Sequence, residues 1–185
     1  KNEDGTSKLD PNPPPAIETW REMEKIKEAG LAKHIGLSNF NVALLNDLYS
    51  AAKYKPEVLQ TEIHPYNQQN RLIDFCQKKG IHVTAWSPLV RIGSNAELDP
   101  LKDQVLQKIA AKHKKTIPQI MIRWGFQRAP NLSVIPKSVN PGRIKENFNV
   151  SDFALDEEDL DEIAKLNKNK RISDPLPLFG VPLYD

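Results

Sequence analysis

The chain has 185 residues, 39% of them hydrophobic and 27% charged, with a formal net charge of +2. This is enough for one domain with a single core, and it offers no general electrostatic case for a nucleic-acid partner. Cys76 is the only cysteine, which excludes an internal disulfide and leads us to expect a reducing, cytoplasmic setting. No apolar run approaches the roughly 20 residues of a membrane helix, and no cleavable leader is visible.

Residues 1–15 hold one large aliphatic side chain, Leu9, among prolines and charges, and read as a loop or disordered arm. Ala16 to Ala29 has helical spacing, with Ile17, Trp20, Met23 or Glu24, and Ile26 or Lys27 on one face, and stops at Gly30. A short strand is predicted over 34–40, then a helix over 42–52 with Leu44, Leu45, Leu48 and Tyr49 on its apolar side. Val58 to Ile63 is a second strand that turns polar at its end, and His64-Pro65-Tyr66 is loop. A helix over 69–78 points Leu72, Ile73, Phe75 and Cys76 inward, and the third strand with its exit runs from Ile81 to Leu89. After a loop over 90–99, the spacing predicts a helix over 101–113. A capping-box pattern at Thr116 to Gln119 then opens a second helix that continues to Arg128. Val134-Ile135 reads as a fourth strand, followed by a Pro-Gly turn and a helical segment carrying Arg143, Glu146 and Asn147. A last helix is expected over 156–166, with acidic residues in its first turn, and the proline-rich tail 174–185 as a strap across the surface.

Short apolar strands separated by amphipathic helices indicate a parallel sheet covered by helices. Right-handed crossovers place every strand exit on one side of such a sheet, which is where α/β proteins hold ligands. The exits are Ser38-Asn39, Gln60 with Glu62, Trp86-Ser87 and Lys137-Ser138. Ser38, Asn39 and Gln60 suit a partner that both donates and accepts, such as a carboxamide. Trp86 offers a face for a planar ring, and Lys137, Ser138 and Arg143 form a phosphate clamp at a helix start. Glu146 and Asn147 suit a base or sugar. An amide-bearing ring at one end and phosphate at the other describe a nicotinamide dinucleotide, and the additional basic pair favours a 2′-phosphate. No G-x-G-x-x-G motif is present, which argues against a Rossmann-type site. The plainer alternative is that the strand-end polar groups satisfy loop backbone, Trp86 is packing, and the Lys and Arg are solvated.

Met23 to Phe40, with Ala29-Gly30-Leu31 and Ile35-Gly36-Leu37-Ser38-Asn39-Phe40, resembles the second signature of the aldo-keto reductases, and Ile135-Pro136-Lys137-Ser138 with Arg143 and Glu146-Asn147 resembles the third. Val58 to Tyr66 and Thr84 to Leu89 resemble that family's sixth and seventh strands. The resemblance, nearest to aldose and xylose reductases, runs from Ala16 to the tail. It implies a (β/α)8 TIM barrel that binds NADPH and reduces aldehydes or ketones to alcohols by hydride transfer. Residue by residue, it implies that Ser38, Asn39 and Gln60 hold the nicotinamide carboxamide. Trp86, where many members have Tyr, stacks on the ring, and Ser87 and Leu89 line the pyrophosphate path. Lys137, Ser138, Val139 and Arg143 bind the 2′-phosphate, with Glu146 and Asn147 at the adenosine. Val90-Arg91-Ile92-Gly93 departs from the small residues usual there, and Asn140 and Gly142 replace commoner Thr and Glu.

The family's catalytic Asp, Tyr, Lys and His lie on its first four strands, and His34, His64, His82 and His113 do not match them. The expectation is therefore that residues 16–185 supply roughly strands 5 to 8 with their helices and the C-terminal loop. No catalytic residue and no metal ligand is assigned, and the isolated chain is expected to be inactive. Closing the fold would require a missing N-terminal half-barrel or a dimer partner. The alternatives are a catalytically incomplete NADP(H)-binding module or an inert fragment. The carbonyl substrate is a small molecule that the residues do not identify.

Overall fold

The computed structural model describes residues 1–3, 5, 7–10, 12–92, 97–173 and 176. The expected strap over 174–185, including Leu178, Phe179, Val181, Leu183 and Tyr184, therefore lies outside the described residues apart from Leu176. Among the described residues of 1–15 there is no helix or strand.

The elements alternate: α1 (Ala16–Glu28), β1 (Gly36–Ser38), α2 (Val42–Ala51), β2 (Val58–Glu62), α3 (Asn70–Lys78), β3 (His82–Trp86), α4 (Gln104–His113), α5 (Ile117–Gln127), β4 (Leu132–Ile135), α6 (Pro141–Phe148) and α7 (Glu157–Ala164). The four strands form one parallel sheet in the order β1-β2-β3-β4, so each crossover moves the chain one strand along. Gly36 permits the β1–β2 approach, because a Cβ there would lie 2.5 Å from the Val58 carbonyl oxygen. Among the described residues no helix is long and apolar enough to cross a membrane.

One face of the sheet carries Leu59, Val83, Ala85 and Leu132, all buried against α3, α4 and α5 through Leu72, Cys76, Leu106, Ile120, Met121 and Trp124. Each large aliphatic removed from water there contributes about 1.5–3 kcal/mol. A smaller cluster, Trp20, Ile35, Leu48 and Ala52, docks α1 against α2. The opposite face is open: Gly36, Ser38, Gln60, His82 and Ile135 are exposed along it.

Several boundaries differ from the sequence expectation. The helix predicted over 101–113 is divided, because Pro100–Lys102 is a single 3-10 turn and the Asp103 carboxylate caps α4 by accepting from the Val105 and Leu106 amides. Pro141 and Gly142 form the first turn of α6, and not a preceding turn, since Asn140 caps that helix by accepting from Arg143 N at 3.1 Å. Proline is tolerated there because a first-turn N–H has no intrahelical partner. Leu44 is exposed, and Leu45 and Leu48 alone carry the fully buried face of α2. The capping box of α5 is present, with Thr116 and Gln119 as its two members.

Candidate functional site

In a parallel sheet, residues in register share a face. The pairs Ser38↔Gln60, Gln60↔Thr84 and Thr84↔Ser133 therefore make one row across the open face. Two residues further along, Glu62↔Trp86 and Trp86↔Ile135 make the next. β1 ends before that row. At Asn39 the backbone turns left-handed, φ 62°, while its N–H still donates to the Gln60 carbonyl at 2.9 Å. That turn carries the Asn39 side chain across β2 to β3, where its Oδ1 accepts from Trp86 Nε1 at 3.1 Å. Asparagine is among the residues that tolerate this conformation most easily.

β3 and β4 lead into a cavity of about 620 Å³ lined by Ser87, Leu89, Lys137, Ser138, Arg143, Glu146 and Asn147, with Arg91, Ile92 and Ile135. The chain enters it through a second left-handed residue, Ser87 (φ 49°), followed by Val90 (φ 55°) and Arg91 (φ 50°). A β-branched residue in this region is unusual, and Val90 is completely buried, so packing holds it there. Beyond β4, Ser138 Oγ accepts from Asn140 N at 3.1 Å, which shapes the loop so that α6 begins beside Lys137. Three cations, Arg91, Lys137 and Arg143, and a helix start around one cavity suit a polyanion.

Glu146 is held from α5. Its Oε1 accepts from the Thr116 hydroxyl at 2.6 Å, and its carbonyl accepts from Gln119 Nε2 at 3.3 Å. The polar residues of α5 continue this grip, with Gln119 Nε2 on the Asn149 carbonyl, Arg123 on that of Val150 and Gln127 on Leu155. The position of α6 therefore follows from the polar face of α5.

The end of β2 and the loop after it are buried in full from Thr61 to Gln68. Glu62, completely buried, takes the backbone N–H of Ile172 on Oε1 at 2.6 Å and that of Ser173 on Oε2 at 3.1 Å, with His64 Nε2 3.0 Å from Oε1. The Tyr66 carbonyl accepts from Lys168 N and Lys170 N, and Gln68 Nε2 donates to the Ile163 carbonyl. This loop fastens the C-terminal segment at the strand-exit end of the sheet. Tyr66 donates its hydroxyl to Asp103 at 3.0 Å, and burial, followed by the Asp103 charge, pushes its phenol above the ordinary range.

Of the residues singled out in the sequence, Ser87, Leu89, Lys137, Ser138, Arg143, Glu146 and Asn147 share the one cavity. Ser38, Asn39, Gln60 and Trp86 gather on the open face outside the cavity lining, joined to it by the Trp86–Ser87 connection and the Trp86↔Ile135 pair. Val139 stands apart, 82% exposed and outside the cavity lining. Sequence reasoning passed over Thr116 as a site residue, although its capping-box pattern was visible. It also gave no role to Arg91 and Ile92, which had read only as a departure. Glu62 was noted only as a polar strand end, and nothing in the residue order signals its buried grip on Ile172 and Ser173.

The profile of the Aldo/keto reductase family matches residues 7–168. Aldose reductase B of Dictyostelium discoideum is 48% identical over 168 residues, covering 91% of this chain and 52% of the relative. The solved aldose reductase of Giardia lamblia superposes with a TM-score of 0.88 at 39% identity, over 100% of this chain and 61% of that one. An aldo-keto reductase of Bombyx mori, solved in complex with NADP, gives a TM-score of 0.80 at 36% identity, over 86% and 53%. The chain thus spans about half the length of the curated relatives it matches, and these structural neighbours have the TIM-barrel fold. The profile match and these identities, together with the parallel sheet and its strand-exit site, make the chain a member of the aldo/keto reductase family.

Proposed function

We infer that this chain is the cofactor-binding half of a carbonyl reductase, contributing four of the eight strands of a (β/α)8 barrel and binding NADP(H) along its strand exits. The observation that carries this reading is the single cavity that collects Lys137 and Ser138 from the loop after β4 and Arg143, Glu146 and Asn147 from α6, and that Ser87, the residue after Trp86, also lines. The donor set fits the cofactor. Lys137 and Arg143 supply charge-assisted donors for a phosphate. Ser87 and Leu89 border the path between the two ends, and Glu146 and Asn147 offer an acceptor and an amide to an adenosine. Trp86 presents an indole face to a planar ring. Ser38, Asn39 and Gln60 present hydroxyl and amide groups to a carboxamide. The relative from Bombyx mori, solved with NADP, adds support from outside the chain.

When bound, the nicotinamide supplies a hydride to a carbonyl carbon. This chain's residues bind and orient, with the phosphate clamp fixing one end and the strand-end amides the other. The carbonyl oxygen must also receive a proton, and the described tyrosines do not suit that role. Tyr66 is committed to Asp103, and Tyr49 and Tyr54 pack with the helix-side clusters. The proton donor is therefore assigned to the strands that complete the barrel, together with most of the substrate pocket. The open face of the sheet and the half-length match to relatives support this division.

Titration of the chain with NADPH, NADH and adenosine 2′,5′-bisphosphate, followed by calorimetry and tryptophan fluorescence, tests the reading. NADPH and the bisphosphate should bind, NADPH more tightly than NADH. A folded chain, verified by circular dichroism, that takes up neither phosphorylated ligand would overturn it.

A further inference from the structure

An indole N–H donates and never accepts. The atom of Asn39 that lies 3.1 Å from Trp86 Nε1 must therefore be the amide oxygen, independently of how the amide is drawn. The Asn39 backbone is fixed as well, by its left-handed turn and by its N–H on the Gln60 carbonyl. With the oxygen turned to Trp86, the amide nitrogen points away from it, and among the described residues no acceptor takes its hydrogens.

We propose that Trp86 is a positioning residue whose indole N–H orients the Asn39 carboxamide, so that the site presents a fixed donor to the carbonyl oxygen of a ligand's amide. This rests on the cofactor reading above and adds a second role to an aromatic residue whose ring face was its only expected use. Phenylalanine at this position would offer a face but no donor, and the Asn39 amide would be free to flip. Preorganising a polar group removes part of the ordering cost of binding, so the orientation acts on affinity at the nicotinamide end alone.

The test has two arms. In the ligand-free chain, the Trp86 indole proton in NMR spectra should shift in N39A and stay near its wild-type position in N39D, which keeps an acceptor oxygen facing it. An indole signal indifferent to N39A overturns the orientation. In the second arm, Kd is measured for NADP+ and for adenosine 2′,5′-bisphosphate, which lacks the nicotinamide. W86F should weaken NADP+ by about fivefold, the scale of one hydrogen bond, and leave the bisphosphate unchanged. In an N39A background most of that penalty should vanish, leaving only the change in stacking. Penalties that simply multiply in the double variant overturn the proposal, because a stacking or purely structural Trp86 behaves that way. If the indole proton responds to N39A but wild-type chain binds neither ligand, the cofactor reading fails while the orientation stands.

Discussion

Thr116 donates its hydroxyl to Glu146 Oε1 across 2.6 Å, so the residue that caps α5 also holds a carboxylate lining the cavity between β4 and α6. The same hydroxyl accepts from Gln119 N, which makes it both a helix cap and a positioning group.

T116V removes both bonds. We expect a stability loss of about 1 kcal/mol from the cap and roughly fivefold weaker binding of adenosine 2′,5′-bisphosphate from the released carboxylate. T116S keeps a hydroxyl and should restore both. If T116V loses stability while its Kd for the bisphosphate is unchanged, the link between α5 and the adenosine end is wrong.

Lys137 and Arg143 line one cavity, from the loop after β4 and from α6. Hydrogen bonds to a charged group contribute about 1.5–3 kcal/mol each, and NADH lacks the 2′-phosphate that would receive them. K137A and R143A should each weaken NADPH at least about tenfold more than NADH. The preference for NADPH should also decline with added salt, since both cations lie at a solvent-open site. Equal losses for the two cofactors would move the phosphate away from this pair.

Lys112, on α4, bonds Asp156 at 2.6 Å and Asp159 at 2.8 Å at the start of α7. The Lys112 hydrogen bond, with one from the Asp159 backbone amide, lowers the Asp156 carboxyl to about 2. A carboxyl depressed in the folded state stabilises the protein fully above its unfolded pKa and loses that contribution as pH falls through the folded value. In K112M the Asp156 pKa, read by NMR, should return toward the ordinary carboxylate range. Wild type and K112M should also converge in urea stability as pH falls from about 5 toward 2, the window set by those two pKa values. A constant gap between them across that window would show that Asp156 is not the linked group.

How much of this was legible depends on where the physical cause sits. Element order was readable because apolar spacing and glycine stops act locally: Gly30 and Gly80 both adopt positive φ at helix ends. The clustering of Lys137, Ser138, Arg143, Glu146 and Asn147 around one cavity was readable because they lie within one turn of loop and one short helix. The break before α4 was hidden because Leu101 fits the helical stripe, while the Asp103 side chain decides where hydrogen bonding begins. The Trp86–Asn39 bond joins β3 to the residue just after β1, across β2, and the Glu62 contacts with Ile172 and Ser173 span more than a hundred residues. Such pairings depend on topology, and no local pattern encodes them.

Glu62 yields the most direct check on that long-range order. Its two carboxyl oxygens accept separately, Oε1 from Ile172 N and Oε2 from Ser173 N, in a fully buried setting. Replacing one oxygen by an amide nitrogen sets a donor against an N–H, and an unsatisfied buried donor costs about 1–3 kcal/mol. E62Q keeps the volume of the side chain, so packing around Ile63 and Tyr66 should persist. Hydrogen exchange should then speed up at Ile172 and Ser173, while the Val83 amide, bonded to the Asn131 carbonyl inside the sheet, keeps its protection relative to global stability. The released segment adjoins the strand-exit end, because Glu62 pairs in register with Trp86. Loss of the anchor should therefore weaken NADP+ at the nicotinamide end and leave adenosine 2′,5′-bisphosphate unaffected. Unchanged exchange at Ile172 and Ser173 in E62Q would mean that the segment is held by Tyr66 and Gln68 instead, and that Glu62 is incidental to it.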